Sequence, residues 1–250
     1  MNTQTGIRFS ETLLGALRSA KSVAAFTGAG VSSESGVPTF RGDDGIWKKF
    51  NPDELANFDA FIRNPEIVGE WYNHRRRVVA SVQPNSGHYA LVELERRYPS
   101  FAVITQNIDN LHRRAGSTTV YELHGNIERN YCIACRTPFT NEEVLSVQGA
   151  PRCTRCGGLV RPDVVWFGEL LPADEWDAAE RAARRADVFL SIGTSSLVYP
   201  AASLPLVAKR AGAFLVEINP ETTPLTAHAD EFLMGKSGEI LPKLIEALNE

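Results

Sequence analysis

Ser22-Val23-Ala24-Ala25-Phe26-Thr27-Gly28-Ala29-Gly30-Val31-Ser32-Ser33-Glu34-Ser35-Gly36-Val37-Pro38-Thr39-Phe40-Arg41 is a short apolar run that breaks into a glycine- and serine-rich turn. The run reads as a buried strand, and the turn after it opens a helix. Glycines at such a turn let the backbone approach a pyrophosphate, and amides at the start of the next helix can bind it. The dinucleotide fingerprint is GxGxxG, and its third glycine position holds Ser33, so the match is partial. A carboxylate about 20 residues further on would hold an adenosine ribose. Asp43 and Asp44 come too early for that and lie in no strand pattern. On the glycines alone, a strand-to-helix turn without a ligand stays open beside a nucleotide site.

Outward from this stretch the same alternation repeats. Phe101–Thr105, Asp187–Ile192 and Ala213–Ile218 are short, apolar and bounded by glycine or polar residues, as buried strands are. Phe9–Ala20, with Leu13, Leu14 and Leu17 on one face, and Gly87–Tyr98, Pro172–Ala186, Ala201–Gly212 and Gly238–Asn249 carry helical spacing. Strands alternating with helices predict an α/β fold with a parallel sheet covered on both faces. Its ligand is expected at the carboxyl ends of the strands.

Two stretches break the rhythm: residues 42–86, a Trp/Phe-rich helical insertion, and residues 127–160, which hold all four cysteines. Together they predict a small second lobe, the rest (1–41, 87–126 and 161–250) forming the sheet domain. Cys132-x2-Cys135 and Cys153-x2-Cys156 are two chelating knuckles separated by seventeen residues. That spacing suits one tetrahedral zinc, with a redox CxxC as the rival. Four thiolates close the coordination shell, which makes the ion structural and lets it hold a lobe lacking its own apolar core.

Composition narrows the class. A net charge of −4 lacks the basic face that a nucleic-acid binder shows. The first twenty residues contain no apolar core flanked by a cleavage site, and no apolar run approaches the length of a membrane span. With the cysteines confined to one zinc pattern, a cytoplasmic protein is expected.

Further motifs fall at strand ends. Thr105-Gln106-Asn107-Ile108-Asp109-Asn110-Leu111-His112 puts an amide and a carboxylate at the edge where the ligand should be. Helix capping would account for Asn107 or Asp109 alone, and His112 reads as structural. Val120-Tyr121-Glu122-Leu123-His124-Gly125 presents a histidine beside a glycine, and its pKa near neutrality suits a proton acceptor. Gly193-Thr194-Ser195-Ser196 suits ribose or phosphate oxygens. Arg161-Pro162-Asp163-Val164-Val165-Trp166-Phe167-Gly168-Glu169 is an extended run that would accept a peptide by backbone pairing, or is a buried strand.

Six of these strings, in this order, resemble the sirtuin family: GAGVSSESGVPTFR, TQNIDNLH, the HG pair at 124–125, the paired CxxC, VVWFGE and GTSSLVYP. The resemblance runs from about residue 20 to the C-terminus. It implies a Rossmann-like NAD domain with a small zinc and helix lobe, and substrate entering the cleft between them. It also implies that NAD⁺ is consumed rather than used for hydride transfer, which fits the partial fingerprint. By similarity Gly28, Ala29, Gly30, Phe40, Arg41 and Trp47 would line the NAD pocket. Gln106, Asn107, Ile108 and Asp109 would orient the nicotinamide and ribose end. Gly193, Thr194, Ser195, Asn219, Pro220, Glu221 and Ser237 would contact the adenosine half. Val165, Trp166, Phe167 and Gly168 would take the substrate, while Cys132, Cys135, Cys153 and Cys156 would hold Zn²⁺. His124 would be the general base, with Asn107 and Asp109 completing the catalytic set. The products would be nicotinamide, free lysine and O-acyl-ADP-ribose, and the partners acylated lysines of proteins met by a monomer. ADP-ribosyl transfer and a non-catalytic NAD-binding module are the alternatives. A dehydrogenase is disfavoured by the missing glycine and ribose carboxylate.

Trp71-Tyr72-Asn73-His74-Arg75-Arg76 resembles the Tyr-x-x-Arg of the family's desuccinylase and demalonylase branch. Tyr72 and Arg75 stand three apart and share a helix face, where a phenol and a guanidinium could bind a terminal carboxylate. The structural alternative pairs Arg75 with Glu66 or Glu70 on a solvated helix. The resemblance implies removal of succinyl and malonyl, and also of acetyl.

Overall fold

Runs such as SVAAFT become central strands because alternate side chains can be buried on opposite faces at once. In chain order the strands are β1 Ser22–Thr27, β2 Ser100–Thr105, β3 Val120–Glu122, β4 Gly125–Cys132, β5 Pro138–Phe139, β6 Val160–Val164, β7 Val188–Ile192, β8 Phe214–Asn219 and β9 Glu231–Met234. The computed structural model describes residues 7–39, 46 and 51–250. Among these it builds a six-stranded parallel sheet, ordered β3-β2-β1-β7-β8-β9, and a three-stranded antiparallel sheet, ordered β5-β4-β6. The chain winds outward from β1 through β2 to β3, returns to β7, and winds the other way through β8 to β9. The reversal between β1 and β7 is the point at which doubly wound sheets bind nucleotides.

Both faces of the large sheet are covered. Leu13 and Leu17 of helix Glu11–Ser19, Leu91 and Leu94 of Ser86–Arg97, and Leu241 and Leu244 of Ser237–Asn249 pack with Val23, Ala25, Val103, Leu190 and Val216. On the opposite face Ala179 and Ala183 of helix Ala173–Arg185, with Leu204 and Ala208, pack with Ala24, Phe26, Ile104, Phe189 and Leu215. Each buried Leu or Phe contributes about 1.5–3 kcal/mol. Caps fix where the helices start: Leu13 N–H donates to Ser10 Oγ at 3.0 Å, and Asn85 and His88 form a capping box at Ser86. The helix expected over 201–212 divides into a 3₁₀ turn, Ala201–Ser203, and a helix, Leu204–Arg210. Pro205 has no N–H to continue the turn but suits the first turn of a new helix.

The second lobe joins distant segments. Phe61 of helix Phe58–Arg63, and Val68, Tyr72 and Val79 of helix Pro65–Ser81, pack with Ile127 of β4, Val164 of β6 and Trp166. β6 pairs antiparallel with β4, so residues 160–164 run with this second sheet. Helix Pro65–Ser81 meets the 149–150 turn at Gly69, where a Cβ would fall 2.3 Å from Ala150 N. Asn73 Nδ2 donates to the Gly149 carbonyl at 3.1 Å. Arg76 donates from Nε to the Ile127 carbonyl at 3.1 Å, from Nη1 to Asn73 Oδ1 at 2.8 Å, and to Asn130 Oδ1. Burial pulls its pKa down to about 10, so this contact carries the desolvation cost of a charge. Among the described residues no helix is long and apolar enough to cross a membrane.

Candidate active site and metal centre

The turns after β1 and β7 touch backbone to backbone. Gly28 N–H donates to the Ile192 carbonyl at 3.0 Å and Gly30 N–H to the Gly193 carbonyl at 2.8 Å. A Cβ on Gly28 would lie 2.7 Å from Gly193 O, and one on Gly30 would lie 2.8 Å from Gly193 Cα. The glycines of the fingerprint are therefore required by the neighbouring turn before any phosphate is considered. The paired turns open onto a cleft of ≈ 620 Å³ at the carboxyl ends of the strands.

From the sequence-predicted residues this cleft gathers Gly28, Ala29, Gly30, Gln106, Asn107, Ile108, His124, Gly193, Thr194, Ser195, Asn219, Pro220, Glu221 and Ser237. Tyr72, Val165, Trp166, Phe167 and Gly168 line its side toward the small lobe. Asp109 and Arg75 are buried but do not form its wall. Phe40, Arg41 and Trp47 lie outside the described residues. Trp71, Leu197 and Thr223 also line the cleft and carried no role from sequence. Leu197 and Thr223 sit in the loops after β7 and β8, where the topology alone would have pointed to them.

Polar groups at the centre hold one another in place. Asn107 Nδ2 donates to the Gly28 carbonyl at 3.0 Å and to Ser32 Oγ at 3.1 Å, and its backbone N–H donates to Thr105 Oγ1 at 3.0 Å. Gln106 Nε2 donates to Thr194 Oγ1 at 3.0 Å, linking the ends of β2 and β7. Asp109 accepts from Leu111 N–H at 3.0 Å. Burial raises the pKa of Asp109, opposed by the Leu111 amide, the Ser32 hydroxyl and the charge of Arg75. Ser32 thus serves both Asn107 and Asp109, a role that its place inside the glycine turn did not reveal.

His124 follows β3 on the cleft wall. Its Nδ1–H donates to the Gln106 carbonyl at 3.0 Å, which leaves Nε2 as the bare, proton-accepting nitrogen. Burial lowers its pKa, and the Gln106 carbonyl partly offsets this. The ring therefore stays neutral to lower pH than a free histidine.

The wall from the small lobe is aromatic. Trp166 Nε1–H donates to Tyr72 Oη at 2.7 Å, and Trp71 meets Tyr72 edge-on. Burial pushes the Tyr72 phenol up to about 12, so it remains a donor. The Arg75 guanidinium lies 5.1 Å from the centre of the Trp71 ring and is 7 % exposed. Glu70 pairs with Arg77 at 2.9 Å on the solvated face, so the surface pairing weighed for Arg75 at that carboxylate belongs to another arginine. The backbone N–H groups of Val165, Trp166 and Phe167 already donate to the His124 carbonyl, Glu169 Oε2 and the Ala56 carbonyl.

The four cysteines meet in the small lobe, their sulfurs all within 4.8 Å of one another. Cys132 and Cys156 sulfurs are 3.5 Å apart, and Cys135 and Cys153 sulfurs 3.6 Å. Tetrahedral zinc with bonds of about 2.3 Å separates its sulfurs by about 3.8 Å, so the set fits one ion. Each knuckle closes by a backbone hydrogen bond, Arg136 N–H to the Cys132 carbonyl and Gly157 N–H to the Cys153 carbonyl. All four ligands come from protein sulfur, which suits a structural rather than a catalytic site.

Residues 28–200 match the model of the Sir2 family. An NAD-dependent protein deacylase of Aquifex aeolicus is 50 % identical over 228 residues, covering 91 % of this chain and 95 % of that protein. A mutant Sir2 homologue solved in complex with ADP-ribose superposes with a TM-score of 0.93 at 48 % identity, covering 96 % of this chain and 97 % of that one. A Sir2 complex with a p53 peptide and NAD⁺ superposes with a TM-score of 0.88 at 35 % identity, covering 96 % and 98 %.

Proposed function

The chain belongs to the Sir2 family, and from that premise we propose that it is an NAD-dependent protein-lysine deacylase. The observation that carries the proposal is the convergence of His124, Asn107 and the Gly28–Gly30 turn on one cleft at the sheet's reversal point. The cleft fits a dinucleotide: it holds ≈ 620 Å³, it spans the ends of β1, β7 and β8, and polar side chains fill only part of its wall. NAD⁺ as co-substrate supplies the ribose carbon that accepts the acyl oxygen when nicotinamide leaves. Within that chemistry His124 Nε2 takes a proton from a ribose hydroxyl, and the Gln106 carbonyl fixes the tautomer that makes this nitrogen available. Asn107 and Asp109 orient the ribose and nicotinamide end, Asn107 being held by Gly28 and Ser32. By resemblance Phe40, Arg41 and Trp47, which lie outside the described residues, are assigned to NAD⁺ binding. Asn219, Pro220, Glu221 and Ser237 face the adenosine half. An acyl-lysine peptide pairs with the remaining backbone groups of residues 165–168. Cys132, Cys135, Cys153 and Cys156 hold the structural zinc.

We assign the acyl group as succinyl or malonyl, with acetyl also accepted. Tyr72 supports this by lining the cleft as a buried donor, and Arg75 by placing a desolvated positive charge in the next turn of the same helix. The enzyme is taken to work as a cytoplasmic monomer on protein lysines and not on nucleic acid, as its net charge of −4 suggests. We divide the chain into a nucleotide domain (1–41, 87–126 and 161–250) and a small lobe (42–86 and 127–160), with β6 at the junction.

The test is mass spectrometry of one lysine peptide, acetylated and succinylated in parallel, with and without NAD⁺. NAD-dependent release of O-succinyl-ADP-ribose is expected. His124→Ala should lose about 10²–10⁴-fold in turnover while still binding ADP-ribose; full activity would remove the base assignment. Arg75→Met should lower succinyl removal far more than acetyl removal, and an equal loss on both would return Arg75 to a purely structural role.

A further inference from the structure

We propose that Trp166 is a specificity-determining residue, whose indole N–H aims the Tyr72 hydroxyl into the acyl end of the cleft. The inference rests on the acidic-acyl assignment above and adds a residue to it. Trp166 and Tyr72 are 94 positions apart, on different elements, and both side chains are almost fully buried at the cleft wall. An indole nitrogen is a donor only, so the 2.7 Å contact has one possible direction: Trp166 Nε1–H donates and Tyr72 Oη accepts. The phenol's own proton is thereby left for another acceptor. A buried phenol without that partner would be free to accept from a ligand as well as to donate to it. With it, Tyr72 presents a donor, which favours a carboxylate over a methyl at the end of the acyl chain.

Trp166 is itself held rigidly. Its ring lies against the Arg161 guanidinium, 3.5 Å from Cζ to centroid, and against Phe61 at 5.1 Å between ring centroids. Arg161 donates through both terminal nitrogens to Glu169, at 2.5 and 2.8 Å, and to the Val164 carbonyl at 2.7 Å. Glu169 Oε2 also accepts the Trp166 backbone N–H at 2.8 Å. One carboxylate therefore fixes both the backbone of Trp166 and the cation beneath its ring. A cation over the ring draws electron density from the indole and strengthens the N–H as a donor. The side chain of Trp166 thus does something distinct from the peptide pairing assigned to its backbone.

Trp166→Phe keeps an aromatic ring against Arg161 and deletes the N–H together with part of the indole's packing area. We expect kcat/KM for a succinyl-lysine peptide to fall roughly ten-fold more than that for the acetyl-lysine peptide, the lost ring area at the cleft wall lowering both alike. In a Tyr72→Phe background the same change should leave the succinyl-to-acetyl ratio unmoved, because the hydroxyl it acts through is gone. ADP-ribose affinity and thermal midpoint are measured alongside, so that a misfolded variant is recognised; in that case Trp166→His, which restores a ring N–H, must recover the ratio if the inference holds. An equal loss on both peptides, or a further ratio change in the Tyr72→Phe background, overturns it. If Tyr72→Phe itself leaves the ratio unchanged, the acidic-acyl assignment falls and the inference falls with it. If Tyr72→Phe moves the ratio and Trp166→Phe does not, only the role of Trp166 falls.

Discussion

The large sheet and the small lobe solve the same problem, burial of enough apolar surface to order a chain, by different means. The sheet places one buried face against Leu13, Leu17, Leu91, Leu94, Leu241 and Leu244 and the other against Ala179, Ala183, Leu204 and Ala208, two continuous cores in one domain. Among the described residues the lobe has one small core around Phe61, Val68, Tyr72 and Trp166, and beside it a cluster in which cysteines supply half of the side chains. A domain with two cores can stand on packing alone, whereas the lobe needs a cross-link of another kind. The cleft lies where they meet. The proposed nucleotide side is therefore built on the self-sufficient partner, and the proposed acyl side on Tyr72 of the dependent one and on Trp166, just past the β6 junction and packed into the lobe's core.

The largest effect should follow from removing the metal. Structural zinc contributes about 10 kcal/mol or more in sites of this kind. Strong chelation, or Cys153→Ser, is expected to abolish amide-exchange protection over 125–164 and 52–81 while β1, β2, β7 and β8 stay protected. Deacylation should be lost even though the ion takes no part in the chemistry, because the wall bearing Tyr72 and Trp166 goes with the lobe. Exchange of both regions in one cooperative step would show that the two units do not fold independently, and the contrast would collapse.

A smaller effect tests the contact that holds the lobe's two segments together. Gly69→Ala puts a Cβ 2.3 Å from Ala150 N, backbone against backbone, so the helix must move away. We expect a loss of about 3 kcal/mol in chemical denaturation with zinc still bound. An unchanged midpoint would mean that helix Pro65–Ser81 is held by Asn73 and Arg76 without close packing at Gly69.

The same contrast governs what could be read from the sequence. SVAAFT, FAVIT and DVFLSI declare themselves because a strand buried on both faces must be apolar throughout, and the paired CxxC declares itself because metal geometry fixes ligand spacing. β9, Glu231–Met234, was not legible: it is short, begins with a glutamate and lies at the sheet edge, half-buried. The turns proposed to take the nucleotide were legible as turns since they follow readable strands. The proposed acyl side was only partly so. Tyr72 and Arg75 could be paired by helical spacing, but the Trp166 contact spans 94 residues and the burial of Arg75 is a tertiary fact. The Ser32 links to Asn107 and Asp109 were hidden for the same reason.

The smallest expected effect concerns the sheet domain alone. His88 and His112 are buried with ring centres 4.8 Å apart. Asn85 N–H donates to His88 Nδ1 at 3.3 Å, and His112 Nε2 bonds Thr27 Oγ1 at 2.9 Å. Thr27 donates its own proton to Thr105, so the His112 nitrogen is the donor in that pair. Burial lowers the pKa of His88 to about 4, and burial together with His88 pulls His112 well below its ordinary value. Below pH 6.5 the unfolded chain takes up protons that folded His88 refuses until near pH 4, so stability falls as pH drops through that window and is constant above it on this account. For His88 alone the loss is about 2 kcal/mol by pH 5. Denaturation of the zinc-loaded protein at pH 7.5, 6.5 and 5.0, in excess zinc and with bound metal assayed, should show this decline. His88→Gln should make it shallower, although it removes a buried ring, the remaining slope belonging to His112. If the variant declines as steeply as the parent, or if zinc leaves before the sheet domain weakens, the acid-sensitive element is the lobe. The two units would then differ in how they are built but not in what unfolds them.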